Sequence, residues 1–303
     1  MPTNRSSKDG PWGRLKPVRQ DVLETFGLPS KGDTRLLDYK NQEFLYTEIV
    51  DRYMKFCSDA GHGVELLRRF SSLRIDRSTS NQSPPITDVG KVTKTPASKT
   101  MTEAAASAKH LSNILSALRK LREGIVASKR VDDFAVQAYL FCTRVSILAK
   151  QPESYHPAIL HLLRVLHVKH PLTSSELEEI AGYLVLDTAC RRKQMADAIT
   201  LSRQYGVQNA DVQITLFAVI HDNYVLFRKA MSRTDTYKAQ LMAWADNDMR
   251  IHALKCLGRT YHSVTLRFLE SMTASKWADL ISRDGVGWER EDERVVIRKA
   301  KSR

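Results

Sequence analysis

Residues 276–298, KWADLISRDGVGWEREDERVVIR, change structural period within a few positions. Trp277, Leu280 and Ile281 recur at helical spacing, whereas Gly285–Arg290 and Arg294–Arg298 are short β-like runs either side of an acidic tip. Two such runs across a polar tip predict a hairpin, in which Val295 and Ile297 share the inward face and Val296 takes the other. Upstream, Met249, Ala253, Leu254 and Leu257 predict a helix over 246–261. Leu266, Leu269 and Met272 predict a second helix capped by Ser263, and Ser275 caps the third. Three helices and a hairpin make the order of a winged helix, with strand expected only after Val286.

Outward from that segment the pattern is helical. Leu111, Ile114, Leu115, Leu118, Leu121 and Ile125 form one stripe from near Thr102, in which Gly124 is an interior defect. Phe134, Ala138, Phe141, Cys142, Val145 and Leu148 form the next, ending before Pro152. A third helix is expected over 157–168, stopped by Pro171. Thr173 with Glu176 makes a capping box, and Leu172 with Leu177 a hydrophobic staple, for a helix through Ile180, Leu184 and Ala189. Further helices are expected over 194–205, 211–228 and 236–245. Helices joined by short turns predict an all-α fold, a helical-hairpin repeat array without a fixed sequence period, followed by the winged helix and its small β-hairpin.

At the other end, 1–35 reads as a basic irregular arm and 36–70 as N-terminal helices. The first of these carries Phe44, Leu45, Ile49, Tyr53 and Phe56, and a short one covers 64–70. The stretch 71–102 includes RSTSNQSPPITDVGKVTKTPASKT and has too little apolar surface to offset its ordering entropy, so it reads as a disordered linker. The helical repeat domain is then 103–245, the winged helix 246–298 and the basic tail 299–303.

The net charge of +13 is unevenly placed. Residues 1–20 carry +4, residues 298–303 another +4 and residues 71–110 +3, leaving +2 for everything else. The basicity belongs to tails and linker, which argues against a deep basic nucleic-acid cleft. Any nucleic-acid contact is expected to be weak and to run through the tails. The longest apolar run, Leu216–Ile220, is far short of the roughly 20 residues that span a bilayer, so no membrane association is expected. The N-terminal residues lack an apolar signal core, and an intracellular location, cytoplasmic or nuclear, is expected. Cys57, Cys142, Cys190 and Cys256 are scattered and read as reduced, buried apolar residues.

No catalytic chemistry, cofactor or metal is expected. His156, His161, His167 and His170 follow one another at spacings of five, six and three, which is not a zinc-helix pattern. Gly285-Val286-Gly287 lacks the third glycine and the following helix of a phosphate loop, and reads as a turn. Asp132 reads as a helix cap, Arg191-Arg192-Lys193 as a solvated helix end, and Trp277 and Trp288 as core anchors.

Three stretches carry a resemblance: HPLTSSELEEIAGYLVLDTACRR (170–192), ADNDMRIHALKCLGRTYHSVTLRFLES (245–271) and KWADLISRDGVGWEREDERVVIRK (276–299). Over roughly residues 110–300 the chain resembles the PCI-like family that groups signalosome subunit 8, a proteasome lid subunit and translation initiation factor 3 subunit k. It looks more closely like uncharacterised filamentous-fungal members of that group. Ala253, Leu254, Gly258, Tyr261 and Leu266, then Gly287-Trp288, fall at the winged-helix junction of the pattern. The resemblance implies a non-catalytic scaffold or adaptor subunit of a multiprotein complex, which binds protein partners through the array and the winged helix. The expected docking residues are Trp288, Arg294, Val296 and Arg298, with the hairpin's backbone edge open to a partner's strand. The alternative is an RNA- or DNA-binding module, as in messenger-RNA-export relatives. Its phosphate contacts would come from Lys276, Arg283, Arg298, Lys299, Lys301 and Arg303. Limited proteolysis should cut first within 71–102; early cutting inside 110–280 would overturn this domain map.

Overall fold

A long helix, α2 (Tyr39–Ala60), packs along a longer one, α3 (Pro96–Ala127). The structure, a computed structural model, describes residues 21–60 and 96–298. The helix expected over 64–70, the linker as far as residue 95, the first 20 residues and the tail 299–303 lie outside the described residues. Residues 96–102, read as the end of the linker, are the first turns of α3. Within the described residues, 21–60 and 96–130 make one compact unit and 131–298 a second. So α3, grouped by sequence with the helices after it, belongs with α2.

In the first unit Leu45, Ile49 and Phe56 of α2 and Leu111, Ile114, Leu118, Leu121 and Ile125 of α3 are buried, each set one amphipathic stripe. Phe44, expected in that stripe, stands half exposed beside Phe26, ring centroids 6.5 Å apart. The described end of the arm is not irregular. A short helix α1 (Val22–Thr25), capped by Asp21, and two 3-10 turns at Pro29–Lys31 and Arg35–Leu37 bury Leu23, Phe26 and Leu36. This explains Gly124. A Cβ there would sit 2.9 Å from both the Leu36 side chain and its carbonyl oxygen. The apparent defect is where the returning arm touches α3. Buried Gln42 donates to the Leu36 carbonyl at 2.8 Å and to Ser128 Oγ at 2.9 Å. Arg130 stacks over the Tyr39 ring and pairs with Glu43 at 2.6 Å.

The second unit begins with α4 (Asp133–Leu148), whose Ala135 N–H donates to Asp132 as the cap reading requires. α5 (Pro152–His161) has Pro152 at its first position, where a missing N–H costs nothing, so this proline opens the helix expected to start at 157. A π-helical turn, Leu162–Leu166, carries α5 into a last turn, His167–Lys169. α6 (Ser174–Leu186) starts with the Thr173–Glu176 capping box and ends in a second π turn, Asp187–Arg191. Then come α7 (Met195–Gln204), α8 (Ala210–Ile220), α9 (Tyr224–Met231) and α10 (Thr236–Met242). The single helix expected over 211–228 is two. Asp222 adopts φ +51°, and the Asn223 side chain accepts from Leu226 N–H at 3.0 Å to start α9. α4 packs on α5, α6 on α7 and α8 on α9, while α10 lies against α4 and α6.

The chain closes with α11 (Asp246–Thr260), β1 (Ser263–Thr265), α12 (Leu266–Thr273), α13 (Trp277–Ser282), β2 (Glu289–Glu291) and β3 (Arg294–Val296). The three strands form an antiparallel sheet in the order β1-β3-β2. Strand therefore precedes Val286. Ser263 belongs to β1 rather than capping a helix, and Thr265 caps α12, accepting from Phe268 N–H. Ser275 caps nothing; α13 opens at Trp277, whose N–H donates to Glu270 Oε1 at 3.0 Å. The described chain is mostly helical.

Gly124→Ala should destabilise the chain by about 1–3 kcal/mol, because the added methyl meets backbone as well as side chain. Urea denaturation followed by circular dichroism measures it; an unchanged midpoint would mean that the arm does not close on α3.

Candidate functional site

The C-terminal module has its own small core of Leu257, Val264, Leu269, Leu280 and Val295, with Trp277, Trp288 and Ile297 packed onto it. Both tryptophans are anchors, as read. Val295 is buried and Ile297 leans on the same core, so the inward face of β3 is as expected. A Cβ on Gly258 of α11 would lie 3.3 Å from Trp288 Cζ2, so a low helix surface is needed to seat the indole. Arg298 Nε donates to the Gly258 carbonyl at 3.0 Å, satisfying one of the last acceptors of the helix. Arg294 Nε donates to Ser263 Oγ at 2.8 Å. Val296 faces Ser263 on one side and Glu289 on the other. The four docking residues proposed from sequence thus do converge, around the end of α11 and the β1–β3 pair.

Val296, however, does not lie on an open edge. β1 covers the side of β3 that a lone hairpin would leave open, which makes Val296 the middle of a sheet. Its backbone belongs to internal ladders, and proline there would break the sheet rather than blunt an edge. The open edges are those of β1 and β2. β2 is exposed along its length and carries Glu289, Arg290 and Glu291, a charged guard against further pairing. Beside β1 two aromatic rings are exposed among polar neighbours. Tyr261 (44% exposed) and Phe268 (38% exposed) stand edge to face with centroids 6.4 Å apart. The sequence reading assigned neither ring to the docking surface.

The cations of the nucleic-acid alternative are already engaged. Lys276 pairs with Glu270 at 3.3 Å. Arg283 holds Asp284 at 3.1 Å and Ser275 Oγ at 2.9 Å. Arg298 serves α11, and Lys299, Lys301 and Arg303 lie outside the described residues. Asp284 is also the end of a buried chain of charge. Arg250 reaches Asp284 and Asp246, each at 3.0 Å, and Asp246 pairs with Arg228 of α9. Arg228 also donates to the Met272 and Thr273 carbonyls at 3.3 and 3.2 Å, tying α9 to the end of α12. Burial alone would raise the Asp284 carboxyl, but Arg283 and Arg250 outweigh it and hold it below the usual range.

A second buried cluster sits in the helical body. Asp187, fully buried in the π turn after α6, accepts from Tyr155 OH at 2.6 Å and from Arg191 through both oxygens at 2.6 Å. His156 Nδ1 lies 3.2 Å from the same carboxylate. Burial would push this carboxyl up; Arg191, His156 and Tyr155 together bring it down to about 2. Arg191 is therefore a buried partner's counter-ion and not a solvated helix end. The neighbouring histidines have separate tasks: His161 stacks on Tyr139, His167 accepts from Leu172 N–H and His170 meets Asp133. Among the described residues, no three metal-ligating side chains converge.

An open cleft of about 560 Å³ is lined by Arg144, Glu178, Glu179, Tyr183, Asp235, Tyr237 and Lys238, among others. Arg144 forms a bidentate pair with Glu179 at 2.8 and 2.7 Å, and Lys238 pairs with Asp235 at 2.8 Å. Both of its cations are paired with carboxylates of the same cleft. No helix of the described residues is long and apolar enough to cross a membrane. No protein-family model matches the chain, and no curated protein sequence matches it.

Asp187→Ala should cost about 3–5 kcal/mol, since it leaves the Arg191 charge without its partner. The folded carboxyl lies below its ordinary value of 3.8, so its contribution is fully present above about pH 4 and is lost as pH falls through about 2. Acid titration of wild type against Asp187→Ala should converge below that window; parallel curves throughout would refute the assignment.

Proposed function

We propose that the chain is a non-catalytic scaffold or adaptor subunit of a multiprotein complex, with a PCI-like body and a C-terminal winged helix as its docking elements. The element order of residues 246–296 supports the second part: helix, strand, two helices and a hairpin, with the strand order β1-β3-β2. Fold alone does not give function, so the docking reading rests on the surface. The observation that carries it is the contrast between the two kinds of exposed group on this module. The cations named for phosphate contact, Lys276, Arg283 and Arg298, and Arg294 beside them are each engaged within the module, whereas Lys255, Arg259 and Arg267 are exposed; the Tyr261–Phe268 pair stands open beside an unpaired strand edge. Exposed aromatic rings next to open backbone suit a protein partner, which can bury the rings and extend the ladder. A phosphate backbone would need the arginines free. The RNA- or DNA-binding alternative is left with the tails and with the exposed Lys255, Arg259 and Arg267.

The test is affinity capture of the full chain with mass spectrometry, after nuclease treatment, comparing wild type with a Tyr261→Asp, Phe268→Asp double variant. Proteins recovered in stoichiometric amount with wild type should be lost with the double variant, at unchanged helical circular dichroism. Equal recovery would move docking to the helical body. Recovery that disappears with nuclease alone would favour the nucleic-acid reading.

A further inference from the structure

We infer, resting on the docking reading above, that the open edge of β1 takes an acidic extended segment of another protein, whose carboxylates meet Lys255, Arg259 and Arg267. The backbone sets the geometry. Ile297 N–H donates to the His262 carbonyl at 2.8 Å and Leu266 N–H to the Glu293 carbonyl at 2.7 Å. Backbone groups of successive residues in an antiparallel ladder point to opposite sides. His262, Val264 and Leu266 therefore face β3, while Ser263 and Thr265 face outward. The edge offers the N–H groups of Ser263 and Thr265 with the Ser263 carbonyl between them. Another peptide backbone matches such a row of donors and acceptors, whereas a phosphate group can only accept.

Charge then selects among peptides. From Met249 to Leu269 the sequence holds four Lys and Arg and no carboxylate. Arg250 is buried in its ion pairs, but Lys255, Arg259 and Arg267 are exposed. Lys255 and Arg259 stand one turn apart on α11 before β1, and Arg267 follows β1 directly. Arg267 occupies the first turn of α12, where the helix dipole disfavours a cation, so the helix itself gains nothing from it. A strand of alternating acidic and apolar residues can turn its carboxylates to these cations and its other face to Tyr261 and Phe268.

The chain does not supply such a strand. Residues 1–20, 61–95 and 299–303 carry net charges of +4, +3 and +3 and are repelled by this edge. The acidic strand of a second copy, β2, fits poorly. Its Glu289 and Glu291 already turn their backbone groups to β3, which leaves Arg290 as the one outward position. The occupant is thus a strand from a different protein.

The probes are two blocked, fluorescent peptides of about seven residues, one alternating Glu with Val and one alternating Lys with Val, read by anisotropy against the full chain. Wild type should bind the Glu peptide about tenfold more tightly than the Lys peptide at low salt, and about 1 M salt should erase most of the preference. The triple variant Lys255→Glu, Arg259→Glu, Arg267→Glu should invert it at unchanged helical circular dichroism. Hydrogen exchange should show the Glu peptide protecting residues 262–266. Equal affinity for the two peptides, no binding of the Glu peptide, or protection elsewhere would overturn the inference. So would a uridine oligonucleotide that protects 262–266 and displaces the peptide, or dimers in sedimentation that the triple variant dissolves; these give the edge to RNA or to a second copy. If the triple variant misfolds, the wild-type preference, its salt dependence and the protected segment decide alone. Partner capture separates this inference from the docking reading. Partners lost with Tyr261→Asp, Phe268→Asp but kept by a folded triple variant leave docking standing and sink the acidic strand.

Discussion

The buried relay Arg228–Asp246–Arg250–Asp284 is the interaction on which the second half of the molecule depends. Arg250 and Asp284 have side chains only 5% exposed, where an unpaired charge would cost several kcal/mol. Arg250 and Asp284 therefore need each other, and Asp246, less buried, links them to Arg228. Arg228 belongs to α9, Asp246 and Arg250 to the first two turns of α11, and Asp284 to the end of the α13 segment. Because Arg228 also binds the final carbonyls of α12, one continuous network sets where the C-terminal module begins and how it meets the helices before it. The apolar core of the module is small, five buried side chains and their neighbours, and on its own would fix this orientation weakly. Directional, charge-assisted bonds supply what the core lacks.

Local signals were legible in the sequence because they are complete within a few residues. The Thr173–Glu176 box, the Asp132 cap and the inward pair Val295 and Ile297 all appear where the residues demanded. What was hidden was non-local. β1 is three residues long and is a strand only because β3, some thirty positions later, pairs with it. Gly124 looks like a helix defect until Leu36 arrives from the arm. Asp222-Asn223 splits a helix that its apolar residues would have carried through, since Leu216 and Phe227 both satisfy a helical period while the cap between them ends it. Asp187 and Arg191 were within reach of a sequence reading, as an opposite-charge pair four apart at the end of an apolar helix. The basic run after position 190 drew attention to the helix end instead.

Formal charge proved a poor guide to available charge. Arg283, Arg294 and Arg298 lie on the module that the sequence analysis marked for binding, yet each donates to a carboxylate, hydroxyl or carbonyl of the same module. Counting them as a basic surface treats them as free point charges. A guanidinium whose fork is already matched must break those bonds before it can meet a phosphate. Strand edges behave alike. β3 looked open while it was half of a two-stranded hairpin, and β1 closed it, moving the exposed backbone to the outer strands.

The same accounting separates structural clusters from sites across the molecule. In the Asp187 cluster of the helical body, Tyr155 and Arg191 share one carboxylate oxygen and Arg191 binds the other, with His156 Nδ1 3.2 Å from it. The π turn that holds it closes with Arg192 N–H donating to the Asp187 carbonyl at 3.1 Å, so even the backbone of this residue is committed. A carboxylate paired on both oxygens organises helices and has little left for a ligand. The cleft around Tyr183 fails for the same reason, its cations being bound to its own carboxylates. Capacity remains where a group is held in position but not consumed. The rings of Tyr261 and Phe268 stand edge to face beside an open strand, each well exposed. Tyr261 directly follows α11, the helix that the arginine relay anchors, and Phe268 sits on α12, whose end Arg228 holds, so the network supports the part of the surface left free to bind.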